Sequence, residues 1–514
     1  MNVTFYGHNC FFLKGNKINI VSDPWLSNKG AFFGSWFQWP INHSYIDQLI
    51  NQLKNETNNY LYISHEHQDH FDKETLAILK PFFTACIIPK YEDPFLYNAI
   101  GALGYEVNEL NDQSKYYFNE TDFIEFMIID TGVYHDSAAI INLDEETFVN
   151  QNDCKIFDRL SYLENMDIKY YAVQFSGASW HPVCYQMDES EKTQISKKKV
   201  LSKLIAVRNA IKLVNPEYYI PSAGPAIFPF LDDNLSLGNG NIFVHQPDLK
   251  NFLKNINSKL IYIRPGECLD VNKITDPIEP PSISDLNSLR NSLDCEFYKN
   301  QSNEFNIENL YNEVQSRLNQ IKGIKFAECP KLILDWKDEG LEIDLNSKNA
   351  KRINFSNYQL PNNFMRIKAS KTYFGLMGNS DYRWQDIYLS LRAKVERKPD
   401  TFNTFVNAFL FSDTSNIRSG FTTTLDINDE RIIIVNPLDG KNYEINRYCP
   451  HNGADLKNAK IDDKGNLICP RHSWLFDLKN NGICKNTNVT IEANEVIDTI
   501  SLCETISTRL IKEN

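Results

Sequence analysis

Tyr60-Leu61-Tyr62-Ile63-Ser64-His65-Glu66-His67-Gln68-Asp69-His70 is the stretch on which the reading of the N-terminal half turns. Tyr60 to Ser64 is apolar and aromatic, the composition of a strand. Four metal-competent side chains, His65, His67, Asp69 and His70, follow within six positions. A straight strand would send such residues to opposite faces and a helix would spread them around its axis. A loop leaving a strand can bring them onto one or two metal ions. Of the 10 histidines in the chain, three lie here and two in Cys449-Pro-His451 and Cys469-Pro-Arg-His472, so half fall in two short segments. Chance explains that poorly.

Around this stretch the chain reads as several domains, since 514 residues exceed one ordinary hydrophobic core. Hydrophobic content of 42% and charged content of 23% are those of a globular protein, and no run approaches the roughly 18 apolar residues of a membrane span. The N-terminus, MNVTFYGHNC, lacks the basic and apolar regions of a signal peptide. A formal charge of -13 disfavours nucleic acid and anionic membranes, which call for a basic surface. Eleven widely spaced cysteines in a long chain argue against a disulfide scaffold and for a reducing, cytoplasmic setting.

Residues 1–251 alternate short β-rich runs with loops and helices, an α/β pattern. Strands are expected at Asn2 to Tyr6, Ile18 to Ser22, Tyr60 to Ser64, Ala138 to Leu143 and Thr147 to Asn152, and helices at Lys73 to Phe82 and Lys197 to Val214. Residues 252–411 read as an α+β extension. It has an extended stretch at Asp276-Pro-Ile-Glu-Pro-Pro-Ser, a polar helix near Ile307 to Ile321, and short strands including Lys331 to Trp336 and Ile387 to Arg392. Residues 412–514 become short strands and tight turns, among them Phe421 to Asp426 and Arg431 to Asn436, as in a small all-β module.

Within that module, Cys449-Pro-His451 and Cys469-Pro-Arg-His472 are seventeen residues apart. A Rieske [2Fe-2S] centre needs two thiolates on one iron and two neutral imidazoles on the other, and two loops each offering one Cys and one His meet that need. Zinc ribbons and fingers favour Cys-x-x-Cys pairs instead. Ala454 and Arg471 stand where the bc-complex type carries a disulfide. With the run His472-Ser-Trp-Leu-Phe-Asp477, this resembles the oxygenase and ferredoxin type, whose potential belongs toward the low end of the Rieske range of roughly -150 to +300 mV. Cys484 and Cys503 read as core residues.

His65-x-His67-x-Asp69-His70 resembles the signature of the metallo-β-lactamase fold, which implies an αββα sandwich for the first domain, as the Cys/His loops imply a Rieske β-sandwich for the last. That resemblance implies His135 as the partner of His65 and His67 at one site, and Asp69, His70 and a bridging Asp153 at the second. The fold's usual final histidine is missing from Tyr218-Tyr-Ile-Pro-Ser-Ala-Gly224, and His245 and His181 are the candidates to replace it. His8 and Asp23 end early strands that approach the same edge, with His8 either a group behind the metal ligands or against the substrate, or a buried hydrogen-bonded core histidine. The aromatic run Phe32 to Trp39 reads as packing on the sheet or as a pocket wall.

A metallo-β-lactamase-fold domain with a Rieske domain resembles the CMP-N-acetylneuraminate hydroxylase family, whose metal domain is of the ascorbate-6-phosphate lactonase-like branch. The strings Gln174-Phe-Ser-Gly-Ala-Ser-Trp180, Pro221-Ser-Ala-Gly-Pro225 and Trp384 to Arg392 extend the likeness. In the animal enzymes the Rieske domain comes first, whereas here it comes last, so substrate identity does not carry over with the domains. The resemblance implies a Rieske-dependent monooxygenase, a hydroxylase or N-oxygenase. Its N-terminal site would hold mononuclear or dinuclear iron, with zinc as the other metal that fits. The expected partners are O₂, an external donor such as a ferredoxin, reductase or cytochrome, and a small substrate, nucleotide-sugar or amino-acid-like. The alternatives are a zinc hydrolase with the cluster as redox sensor, and a non-catalytic electron carrier.

Overall fold

Alternation of apolar side chains sets the two faces of each central strand, and the computed structural model shows what covers them. It describes the chain except residues 178, 232, 238–239, 274, 293–305, 378–381, 427–429, 486, 488 and 497–514, so Cys503 lies outside the described residues. Two units are formed, one of residues 1–399 with 405–421, the other of 400–404 with the chain from 422.

The first unit begins with β1 (Asn2–Gly7), β2 (Cys10–Lys14), β3 (Asn19–Ser22), β4 (Phe37–Gln38), β5 (Asn59–Tyr62), β6 (Ala85–Pro89) and β7 (Val107–Leu110). It continues through β8 (Lys115–Tyr117), β9 (Phe123–Asp130), β10 (His135–Leu143), β11 (Glu146–Asn152), β12 (Tyr170–Gln174), β13 (Tyr218–Ser222), β14 (Ala226–Ile227) and β15 (Lys259–Leu260). One sheet has the order β1-β2-β3-β5-β6-β7 and the other β15-β13-β12-β11-β10-β9-β8, while β4 and β14 pair separately.

Phe126, Ile128, Ile141 and Phe148 face the first sheet and share a core with Phe11, Leu61 and Ile87. Their neighbours Met127, Ile129, Ile140 and Val149 face the other way, onto Val207 and Ile211 of the helix Glu189–Val214. The period of two on a sheet covered on both faces thus gives two apolar layers from one set of strands. Leu49, Leu53, Leu76 and Leu79, from the helices Ile46–Lys54 and Lys73–Leu79, close the outer side of the first sheet. This is the expected αββα sandwich.

The strand directions create a single functional edge. β3, β5 and β6 run parallel, so Asp23 and the His65 loop leave the sheet at neighbouring C-terminal ends. β11, β12 and β13 are also parallel, which puts Asp153 just past Asn152 and Ala223 just past Ser222. His135 begins the antiparallel β10 at that end of its sheet.

Beyond the sandwich, the same unit holds a five-stranded sheet, β18-β17-β16-β19-β20, built from β16 (Lys331–Asp335), β17 (Glu339–Asp344), β18 (Asn349–Asn354), β19 (Phe364–Lys368) and β20 (Lys394–Lys398). Two segments expected as strands are helices. Of Ile387 to Arg392, the first three residues end the helix Trp384–Leu389, where Trp384 and Tyr388, four apart, are both buried, and the rest turn out of it. Phe421 to Asp426 falls on the helix Ile417–Asp426, where Ile417 and Phe421 are completely buried. In both, β-branched and aromatic composition is overridden by burial at i, i+4 spacing.

The second unit carries β21 (Arg431–Asn436), β22 (Lys441–Asn446), β23 (Lys460–Ile461), β24 (Asn466–Ile468), β25 (Leu475–Asp477), β26 (Ile483–Cys484) and β27 (Asn494–Val496). They form sheets of order β21-β22-β27 and β23-β24-β25-β26 around a core that includes Tyr443, Ile445, Leu467, Phe476 and Cys484.

Candidate functional site

Five of the six N-terminal residues singled out in the sequence converge. The Nε2 atom of His65 lies 2.7 Å from Nδ1 of His67. The Nε2 of His70 lies 3.3 Å from Asp153 Oδ1 and 3.7 Å from Asp69 Oδ2, and His65 Nε2 is 4.0 Å from the same Asp153 oxygen. The sixth, His135, faces Glu66, with its Nε2 on Glu66 Oε2 at 2.8 Å.

Each central imidazole is oriented from behind by a fully buried carboxylate. Asp136 Oδ1 is 3.3 Å from His65 Nδ1, and Asp23 Oδ2 is 2.8 Å from His70 Nδ1. Asp23 is fixed in turn by Asn9 Nδ2 at 2.6 Å, the Ser64 amide at 2.8 Å and the Ser64 hydroxyl at 2.6 Å. A carboxylate on one ring nitrogen holds the proton there and leaves the other nitrogen with a lone pair, the arrangement found behind metal-bound histidines. The open nitrogens all face the cluster. His70 Nε2 and Asp153 Oδ1 are buried without a hydrogen bond, a costly state unless an ion completes it. Imidazoles with carboxylates suit iron or zinc. The residues present therefore fit a metal ion of that class.

The electrostatics agree. Burial pushes the Asp153 carboxyl up, but His70 and His65 outweigh it and bring it down to about 2. Burial opposes the charged form of His70, yet Asp153 and Asp69 raise it to about 9. Burial and the neighbouring His65 lower His67 to about 4. Anionic oxygens and crowded imidazoles at one point are what a cation would relieve.

The loop is also gripped through its intervening residues. Arg383, 5% exposed, places Nη1 2.6 Å from Glu66 Oε1 and Nη2 3.4 Å from Asp93, and also pairs with Asp413. Gln385 Nε2 donates to Glu66 Oε1 at 2.9 Å, and Gln68 Nε2 donates to Asp386 at 3.1 Å. Glu66 and Gln68 are the two variable positions of the metal motif, so the start of the helix Trp384–Leu389 clamps the loop at both. Asp136 had a local signal, its place beside His135. Arg383 had none, because more than three hundred residues separate it from Glu66.

Two of the ambiguous early residues resolve as parts of this region. His8 brings Nε2 within 3.0 Å of Asp69 Oδ2, and its ring lies 5.0 Å from that of His70. Phe32 packs on Trp36 at 4.6 Å and stands 6.0 Å from the His67 ring, with its amide donating to Gln68 Oε1 at 2.7 Å. Neither His181 nor His245 is among the histidines of the metal-competent groups found in the described residues.

In the second unit, the two Cys/His loops have matching turns. Gly453 N donates to Cys449 O at 2.8 Å and Ser473 N to Cys469 O at 2.9 Å, with φ of 63° at Gly453 and 56° at Ser473. Cys449 and Cys469 are completely buried and in side-chain contact. Burial raises the Cys449 thiol; burial also opposes the Cys469 thiolate, but contact with Cys449 and the amides of His472 and Arg471 outweigh it and bring Cys469 down. The Nδ1 atoms of His451 and His472 are 3.3 Å apart. Two thiols on one side and two imidazole nitrogens on the other are the donors of a Rieske cluster. Where the disulfide of the other type would stand, Arg471 Nη1 donates to Asn452 O at 2.8 Å and ties the loops together. Trp474 stacks on His451 at 4.1 Å and 16°, with Phe402 against both rings.

Comparison with known proteins agrees with both halves. A β-lactamase superfamily domain matches residues 2–147 and a Rieske [2Fe-2S] domain matches residues 407–496. A Mycolicibacterium smegmatis protein named for a Rieske 2Fe-2S iron-sulfur centre is 26% identical over 95% of this chain and 98% of its own length. A similarly named Mycobacterium tuberculosis protein is 31% identical over 58% of this chain and 57% of its own. The cytidine monophosphate-N-acetylneuraminic acid hydroxylase of Xenopus laevis is 26% identical over 55% of this chain and 48% of its own, so the match spans about half of that enzyme. No helix among the described residues is long and apolar enough to cross a membrane.

Proposed function

We propose that this chain, in which a β-lactamase-superfamily domain precedes a Rieske domain, is an oxidoreductase: a Rieske-dependent non-haem iron monooxygenase of a small molecule. The observation that carries the reading is the pair of buried imidazoles, His65 and His70, each held at Nδ1 by its own carboxylate and open at Nε2 toward Asp153. A chain that also offers two Cys/His loops can feed electrons to whatever those imidazoles hold.

His65, His67 and Asp153 are assigned to one ion, and His135, whose Nε2 is paired with Glu66 here, would be its third imidazole. Asp69, His70 and Asp153 are assigned to the second. Cys449, His451, Cys469 and His472 are assigned to the cluster. When bound, the cluster supplies single electrons and the iron supplies O₂ activation.

The chain's own residues do the rest. Asp136 and Asp23 fix the tautomers, Arg383 and Gln385 hold the loop through Glu66, and Phe32, backed by Trp36, sets an apolar ring beside His67. Ser35, from the same aromatic run, lines a cavity of about 750 Å³ together with Tyr185, Lys192, Phe228, Tyr373 and Arg392. A space of that size suits a small organic substrate, and Lys192 and Arg392 suit an anionic one. The hydroxylase similarity makes a CMP-sugar one candidate, and an amino-acid-like molecule the other. Electrons would come from an external ferredoxin, reductase or cytochrome in a reducing cytoplasm. We also retain the three-part division at about residues 251 and 411.

The test loads the full chain with iron, reduces it, and exposes it to ¹⁸O₂ with CMP-N-acetylneuraminate and with small-molecule extracts. Loss of the reduced-cluster EPR signal with label in a product is expected, together with iron beyond two per chain. A zinc-loaded protein that hydrolyses esters or lactones equally well with oxidised and reduced cluster overturns the proposal.

A further inference from the structure

The N-terminal centre has one open account. The strand that usually ends in the last metal-binding histidine, β13, ends here in Ser222 followed by Ala223, which bears only a methyl group. Yet the Ala223 amide donates to the backbone oxygen of His8 at 2.7 Å. The turn between β1 and β2 therefore lies against the strand end from which the missing imidazole would have come.

That turn delivers an imidazole of its own. His8 is 6% exposed, and its Nε2 lies 3.0 Å from Asp69 Oδ2 while lacking the alignment of a hydrogen bond. One ring nitrogen each of His8 and His70 and an Asp69 oxygen lie mutually within 4.8 Å, the span of ligands around one ion. The backbone is bent to achieve this. His8 has φ of 51°, a region uncommon for side chains with a Cβ and costing about 1 kcal/mol or more, and such conformations cluster at functional sites. Gly7 before it has φ of 107°, a conformation strained for any residue with a Cβ.

The alternatives are placed otherwise. His245 precedes the helix Gln246–Phe252, and burial lowers it to about 4. His181 packs its ring on Tyr185 at 4.7 Å.

We propose that His8 is a metal ligand, completing with Asp69, His70 and Asp153 a four-donor site for a divalent cation of the zinc or ferrous class. Three nitrogen or carboxylate donors with a fourth from a neighbouring loop meet the usual four-coordinate demand of such ions. The proposal rests on the metal-centre part of the reading above and not on oxygen chemistry.

Zinc alone is the probe. The full chain with intact cluster is stripped of N-terminal metal by mild chelation, loaded with Zn²⁺, desalted, and its zinc counted per chain. Wild type is expected to keep two zinc ions, and His8→Ala and Asp69→Ala about one each. His8→Gln, which keeps a polar amide beside Asp69 but is a poor ligand, is expected to keep one, and His8→Cys, whose thiolate binds zinc, to regain two. Retention of two ions by His8→Ala, recovery of two by His8→Gln, or a single ion in wild type that His8→Ala keeps overturns the proposal. The His8→Cys result separates loss of a ligand from loss of the fold. Because no O₂ or substrate is present, the count stands or falls apart from the monooxygenase reading.

Discussion

Replacing Arg383 by Met tests the clamp on the metal loop. The guanidinium sits buried at 2.6 Å from Glu66 and 3.4 Å from Asp93, pairs with Asp413, and lies 4.9 Å from the centre of the Phe95 ring. Methionine fills much of the same volume but leaves these carboxyls without their cation. Burial already raises Asp413 to about 8, so near neutral pH it is largely protonated and loses little. Glu66 bears the main loss: burial opposes its charge, and Arg383 and then His135 hold it ionised well below the usual carboxylate range. Breaking a buried pair in this way costs about 3 to 5 kcal/mol. For a unit of about 416 residues, at about 2.1 cal/mol/K of unfolding entropy per residue, that is about 3 to 6 °C in Tm. Trp25, Trp36, Trp39, Trp180, Trp336 and Trp384 lie in the first unit and only Trp474 in the second, so urea unfolding followed by tryptophan fluorescence reports the unit in question. The same variant should bind N-terminal metal about 10 to 100 times more weakly, the usual effect of losing an outer support. Arg383→Lys should recover part of the stability, and adding Glu66→Gln to Arg383→Met should recover more. A change below about 1 kcal/mol with unaltered metal affinity would refute the clamp.

Three further outcomes follow from individual contacts. Asp136→Asn should weaken metal binding about 10 to 100 times, because His65 loses the carboxylate that fixes its tautomer; equal affinity by competition with a chelator would contradict this. Burial, only partly offset by Arg383, raises Asp386 to about 7 from 3.8, so between those values the native state binds more protons than the unfolded one and this group's contribution falls as pH rises. Asp386→Asn should therefore gain on wild type by about 2 to 4 kcal/mol between pH 4 and 7.5, and a pH-independent gap would count against the buried carboxyl. Arg471→Met should remove the brace to Asn452, worth about 1.5 to 3 kcal/mol, and bleach the cluster faster in air; unchanged decay of its visible absorbance would show that the loops need no such tie.

The two Cys/His loops and the His65 to His70 loop were legible as candidate centres in the linear chain because most of their candidate donors are local. Cys449 and His451 are two residues apart, Cys469 and His472 three, and His65 to His70 occupy one loop. The αββα layers were legible for a related reason, since a period of two along β9 and β10 records which face meets which layer. Composition misled where it was mixed, as in Phe421 to Asp426, where packing of Ile417 and Phe421 at helical spacing overrode three threonines.

What only the tertiary structure decided is who stands behind and beside the ligands. Asp23 reaches His70 because β3 and β5 are parallel neighbours whose ends coincide, and Arg383 reaches Glu66 because a distant helix start is folded onto the loop. His8 meets Asp69 because the β1–β2 turn closes against the end of β13. A motif needs nearby residues of fixed type and spacing, and so it is written in sequence. Orientation and charge compensation need only proximity in space, which a chain can achieve from any distance along itself.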